Sequence, residues 1–310
     1  MKGIFQKKVI KMLSGTLRTG KIPNAFLFIG DPYIGKTETA IAYAKALNCN
    51  NMTLSKDSEE FEFCNQCQSC KKIDALVHPD VKLILPEKEV LTVNLIREIE
   101  EFIYYRALES KYKVVIVKEA HRMNISAANA FLKTLEEPPL NTTIILTCEN
   151  IYSLPEPLIS RCFKIYFTPL PKKAMEDFVS SYDNKTLLLS LAMGRPGFLI
   201  YGDLLNDVKW FIDSLNLKGN KRPPWKENED IKRWIDFFCI VLRDMLVCRF
   251  LSKDAKILSV ELEQKDNLQL KDIFDIYDKM LEIRKNIDLN LNKSIVWNYT
   301  KKLVEGIING

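Results

Sequence analysis

No hydrophobic run in this 310-residue chain is long enough to cross a bilayer. The greasiest stretch, Ile231 to Leu251, is broken by Lys232, Arg233, Asp236, Arg243, Asp244 and Arg249, which excludes a spanning helix there. Residues 1–20 carry five basic side chains and no apolar h-region, so a secretory leader is not expected and the chain reads as soluble and cytoplasmic. Repeats and low-complexity tracts are missing. Hydrophobic content of 47% and charged content of 27% are ordinary, which excludes disordered and fibrous classes. An excess of one charge sign is missing too. Against 45 Lys and Arg stand 40 Asp and Glu, a net +5 with no basic tail, so charge alone implies no nucleic-acid partner. Histidine is scarce: His78 and His121 are the two in the chain, and both read as packing or surface residues rather than ligands.

The pattern that is present alternates strands with helices. Residues 25–29, 113–117, 143–147 and 164–167 are short apolar or β-branched runs suited to buried strands. Residues 36–47, 92–105 and 124–137 have helical spacing, the last ended by Pro138-Pro139. This order predicts an α/β domain with a parallel sheet. Beyond Thr168-Pro169-Leu170-Pro171 no strand is predicted. Two or three short helices are expected over 172–204, then long amphipathic helices at 228–252, 268–287 and 291–308, with a loop at Lys221–Trp225.

Gly30-Asp31-Pro32-Tyr33-Ile34-Gly35-Lys36-Thr37 satisfies G-x-x-x-x-G-K-[ST] between a predicted strand and a predicted helix. In such a loop the glycines let backbone N–H groups wrap phosphates. Lys36 would reach the β- and γ-phosphates, and the Thr37 hydroxyl would help hold Mg²⁺. The second acidic element of such sites is incomplete. The strand at 113–117 ends in Lys118-Glu119, with a cation where the Mg²⁺-organising carboxylate belongs. Lys118 would repel Mg²⁺ and could pair with phosphate or Glu119, so weak or absent ATP hydrolysis is expected.

Of eight cysteines, Cys64, Cys67 and Cys70 crowd within seven residues, and Cys49 lies upstream. In a reducing compartment this points to metal rather than disulfides. Four thiolates would close a tetrahedral, structural zinc site over residues 49–70. Cys148, Cys162, Cys239 and Cys248 read as ordinary core residues.

The order of these motifs carries a resemblance. A phosphate loop, a four-cysteine insertion, Val114–Met123, then Phe131–Pro139 and Leu158–Cys162 resembles the bacterial DNA polymerase III clamp-loader family of AAA+ ATPases. The resemblance implies a P-loop AAA+ domain over residues 1–168 with an embedded zinc module. It implies a small helical lid over 169–206 and an all-α collar over 207–310. Ser160-Arg161-Cys162 is similar to the family's arginine-finger motif, which implies that Arg161 acts on a neighbouring subunit's nucleotide. No catalysis is expected from Glu136 or Glu137, whose acidic charge suits a solvated helix end. Within the family, Lys118, Cys148 or Glu149 at the polar-sensor position, and Gly197 at the second-sensor position resemble the delta′ branch more than the ATP-hydrolysing gamma/tau motors. Arg195 lies two residues early for that second sensor. Residues 287–294 resemble the delta′ collar ending, and no long tau-type extension follows. The intact loop departs the other way.

The implied function is a stator in a hetero-pentamer with gamma/tau and delta subunits, loading the sliding clamp on primed DNA. Any ATP or ADP bound with Mg²⁺ would be structural, Glu119 being at most a residual acidic group. The alternatives are a gamma/tau-type motor, a DNA-binding AAA+ recombination or replication factor, and a zinc-stabilised scaffold.

Overall fold

Every residue of β1 (Ala25–Ile29) and of β5 (Lys113–Val117) is buried, odd and even positions alike. That pattern requires a sheet covered on both faces. The computed structural model describes residues 6–54, 60–87, 90–180, 185–215, 224–250, 257–258, 268–287 and 291–307. The chain divides into two compact units, Met1–Phe178 with Met193–Ile200, and Val179–Ala192 with Tyr201–Gly310.

In the first unit, helix α1 (Lys7–Thr19) precedes β1, and α2 (Lys36–Asn48) follows it. A small antiparallel pair, β2 (Thr53–Leu54) and β3 (Phe61–Glu62), leads to α3 (Gln68–Asp74). Then come β4 (Val81–Ile84), α4 (Val93–Tyr104), β5, α5 (Ile125–Glu136), β6 (Thr142–Cys148), α6 (Glu156–Ser160) and β7 (Phe163–Tyr166). The main sheet is parallel throughout, in the order β4-β5-β6-β1-β7. The two-residue period of a strand splits its side chains between two cores. Ala25, Leu27 and Ile29 join Val115, Val117 and the α4–α5 stripe of Ile96, Ile99, Ile103 and Phe131. Phe26 and Phe28 join Val114, Ile116 and the α1–α2 residues Val9, Leu13, Tyr43 and Leu47. Gln6 ties the start of α1 to the strand that leaves the sheet, its amide donating to Thr168 O (2.7 Å) and accepting from Thr168 N–H (3.1 Å).

The helices begin where local chemistry allows. Asn124 Oδ1 accepts from Ala127 N–H at 2.8 Å and starts α5, satisfying one of the orphan donors of its first turn. The β6 and α5 expectations match the structure to within one residue, and β7 begins one residue earlier than the pattern predicts. The pattern did not predict α1, β4, the β2–β3 pair, α3 or α6.

After α7 (Lys172–Met175) the chain enters the second unit, which holds α8 (Lys185–Ala192) and, after α9 (Gly197–Tyr201), helices α10 (Leu204–Ser214), α11 (Asn228–Phe250), α12 (Leu270–Asn286) and α13 (Lys293–Glu305). No strand is described there. Its core is aromatic. Trp234 stacks on Phe238 (5.3 Å between centroids) and meets Trp225, Trp297 and Phe211 edge-on. The Trp234 indole N–H donates to Ser214 Oγ at 2.6 Å. Arg284 forks onto Asp236, fastening α12 to α11. Trp234, Phe238, Leu242 and Met245 are all buried within the chain itself. Cys239 and Cys248, expected in the core, are half-buried because they lie on the flank of α11; Cys148 and Cys162 are buried as expected. Residues 221–223 of the expected loop, 288–290 of the collar-like ending and 55–59 of the cysteine insertion lie outside the described residues.

Asp80 closes the approach to β5. It is fully buried, and its carboxylate accepts the N–H groups of Leu108, Glu109 and Ser110 at 2.8–2.9 Å. Replacing Asp80 by Ala leaves three backbone N–H groups without their carboxylate partner. It is expected to lower stability by about 3 kcal/mol, read as a lower midpoint of the first transition in urea unfolding.

Candidate functional site

The carboxyl ends of β1, β5 and β6 bring the sequence-marked residues together, the edge at which open parallel sheets present ligand sites. Gly30 ends β1 at φ 155, and a β-carbon there would lie 2.7 Å from the Phe167 carbonyl oxygen, so only glycine fits. Gly35 caps α2 in a left-handed conformation. The first N–H groups of α2, at the head of a 13-residue helix, have no intrahelical partner, a start suited to an anion. Lys36 is buried at the head of the helix, and its ammonium donates to Gly30 O (2.5 Å) and Asp31 O (2.7 Å). Burial pushes the Lys36 ammonium below the ordinary lysine range, opposed by the nearby Glu149, Cys148, Asp31 and Glu119. Thr37 is half-buried beside it.

Glu119 is spoken for. It adopts a left-handed backbone (φ 55), and its N–H donates to Thr147 Oγ1 at 3.0 Å. Its carboxylate lies between Lys118 Nζ (3.3 Å) and Arg122 Nε (2.6 Å). A carboxylate engaged by two cations is not free to orient a water or to hold a metal. Lys118 therefore occupies the corner in both senses: it places a cation there, and it engages the one remaining acid. Cys148, on the same edge, is buried, and desolvation pushes its thiol up to about 12.

Arg161 lies on the surface at the end of α6. Its guanidinium donates to Pro157 O (2.7 Å) and forms an ion pair with Glu136, the last residue of α5. The acidic helix end thus holds Arg161 in place, where the sequence reading gave it no partner.

The four cysteines converge. Their sulfurs all lie within 4.8 Å of one another, with Cys49 3.5 Å from Cys64 and 4.0 Å from Cys67. Sulfurs around a tetrahedral zinc are about 3.8 Å apart for bonds of about 2.3 Å, so the donor set fits a metal. All four are free thiols. Backbone N–H groups of Cys64, Cys67 and Cys70 point at the sulfurs of Cys49, Cys64 and Cys67, stabilising thiolate charge. The Cys67 and Gln66 N–H groups draw the Cys64 thiol down to about 6, while burial raises Cys49 and Cys70. Cys67 also caps α3, and Ser69 on that helix meets buried His78 at 3.1 Å. His78 Nδ1 accepts from Asp80 N–H, so this histidine is a packed connector, as expected.

Residues 5–171 match the model of the family described as DNA polymerase III, delta subunit. The chain belongs to this clamp-loader family of AAA+ proteins. Among the family's relatives, the delta′ subunit of Buchnera aphidicola subsp. Schizaphis graminum is 32% identical over 75% of this chain and 71% of its own length. The delta′ subunit of Bacillus subtilis is 34% identical over 58% of this chain and 52% of its own, so the chain spans about half the length of that relative. Gamma and tau subunits match as well, over 53% and 56% of this chain. A solved DNA polymerase III gamma subunit-related protein from Thermotoga maritima shares the fold, with a TM-score of 0.51 at 19% identity over 97% of this chain and 98% of its own.

Thr147 on this edge and, away from it, Asp80 and the ion-pairing role of Glu136 escaped the sequence reading. Thr147 was visible as a polar residue ending an apolar strand, Asp80 as an acid before a strand, and Glu136 as an acid on a helix end. None carries its partner in the local pattern. Titration of the metal-free chain with Co²⁺ is expected to give the absorption bands of a tetrahedral thiolate site at one equivalent, and Cys64→Ser is expected to abolish them. Because metal must displace thiol protons, the bands should weaken as pH is lowered.

Proposed function

We propose that this chain is a delta′-type stator of a bacterial replicative clamp loader. It would assemble with gamma/tau and delta subunits and take part in loading the sliding clamp on primed DNA. The carrying observation is the Lys118–Glu119–Arg122 arrangement at the end of β5. Catalysis by a phosphate loop needs a carboxylate to organise Mg²⁺ and a group to orient water. Here the first is a lysine and the second is engaged by two cations. Gly30, Gly35, Lys36 and Thr37 remain able to hold ATP or ADP through backbone donors and one ammonium, without turnover. Arg161, exposed and oriented by Glu136, would supply its charge in trans to a motor subunit's nucleotide. A guanidinium so placed stabilises the transferring phosphoryl group, worth roughly 10³–10⁵ in rate. A zinc ion on Cys49, Cys64, Cys67 and Cys70 would be structural, since four protein ligands leave no open position. We place the nucleotide domain at 1–168, the lid at 169–206 and the collar at 207–310.

A second reading is supported by the complete phosphate loop and the gamma relatives: an ATP-hydrolysing motor of the same complex. ATP turnover by the purified chain separates the two. The stator reading expects the wild-type rate to equal that of Lys36→Ala; turnover abolished by Lys36→Ala would favour the motor. In the assembled complex, Arg161→Ala is expected to slow hydrolysis at the facing site by roughly 10³-fold without loss of assembly, measured by steady-state ATPase and gel filtration.

A further inference from the structure

We infer that Tyr33 and Phe198 clasp the phosphate loop to the Met193–Ile200 segment, so that nucleotide binding and the order of that segment are coupled. This rests on the reading of residues 30–37 as a nucleotide site.

The segment is an eight-residue return into the first unit: the chain before Met193 and after Ile200 belongs to the second. It is held by backbone at two points. Leu170 N–H donates to Gly194 O at 2.8 Å, and Gly197 N–H donates to Tyr33 O at 2.8 Å. Both contacts demand glycine. A β-carbon on Gly194, whose φ is 75, would lie 2.5 Å from Leu170 O, and one on Gly197 would lie 2.8 Å from Tyr33 O. The side chains add a second layer. The Phe198 ring lies 4.4 Å from the Tyr33 ring at 31°, and the Arg195 guanidinium lies 4.4 Å from the Phe198 ring centre.

Tyr33 is an odd residue for its place. Its φ of 62 is a conformation that favours glycine, and the residue is 41% exposed. Core burial therefore does not explain a tyrosine here, whereas the Phe198 contact does. The bond from Gly197 also has a consequence inside the loop. In a trans peptide the C=O and the next N–H point in opposite directions. Turning Tyr33 O toward Gly197 fixes the Ile34 N–H away from it, orienting one donor of the phosphate loop. An anion that selects this peptide orientation strengthens the Gly197 bond, and the reverse holds by linkage. Phe198 and Tyr33 are thus positioning residues for the loop.

The test is hydrogen–deuterium exchange of the full chain with and without Mg²⁺-ADP, alongside calorimetric ADP affinity and thermal unfolding. In the wild type, ADP is expected to slow exchange across residues 193–200. Phe198→Ala and Tyr33→Asn are each expected to weaken ADP binding up to about tenfold, which corresponds to about 1.4 kcal/mol, and to lose that protection. Asparagine tolerates the left-handed backbone, so Tyr33→Asn keeps the test sound if Phe198→Ala fails to fold. Phe198→Tyr should retain both properties. ADP binding that leaves exchange of the segment unchanged, or that is the same in both ring-deleting variants, overturns the clasp alone. No ADP binding by the wild type overturns the nucleotide reading and the clasp together.

Discussion

The burial of β1 on both faces is the constraint on which the first unit depends. A one-residue slip of a strand with Ala25, Leu27 and Ile29 in one core and Phe26 and Phe28 in the other would send each set into a core packed for the other. The strand's end is therefore fixed in space, between β6 on one side and β7 on the other. Gly30 must turn where it does, pressed against Phe167, and α2 starts six residues later at Lys36. The path of residues 30–35 follows from a strand end held in place.

The same sheet decides the chemistry at its edge. Parallel pairing of β5 with β6 places Glu119 N–H on Thr147 Oγ1. That bond holds Glu119 in a left-handed turn, where its carboxylate faces Lys118 and Arg122. One backbone hydrogen bond thus sets the direction of the acid, and two cations set its use. Electrostatics around Lys36 follow from the same convergence, since Glu149, Asp31 and Glu119 reach it from three different chain segments. Burial lowers the pKa of the Lys36 ammonium, and these acids oppose that shift.

Away from that edge, motifs that look independent in the chain are joined. The helix end at Glu136 and the arginine at 161 are 25 residues apart and form one ion pair. The cysteine insertion is tied to the sheet through Ser69, His78 and Asp80, so it shares with the loop before β5 a polar network centred on the buried His78 and Asp80. Buried polar groups of this kind are costly unless fully paired, and Asp80 has three donors.

The sequence alone determined the parts whose signal is local. Apolar runs of the right length gave β1, β5 and β6, and a 3.6-residue stripe gave α4 and α5. Fixed spacing gave the phosphate loop and the cysteine set, because those geometries are built from neighbours in the chain. The edge strand β4, the amphipathic α1 and the short α3 and α6 escaped because each is brief or finds its packing partner far away. Only the tertiary structure decided which groups meet: Lys118 and Arg122 on Glu119, Glu136 on Arg161, Tyr33 on Phe198. Those pairings depend on strand register and on glycine-permitted close approach between distant segments, neither of which a one-dimensional pattern contains.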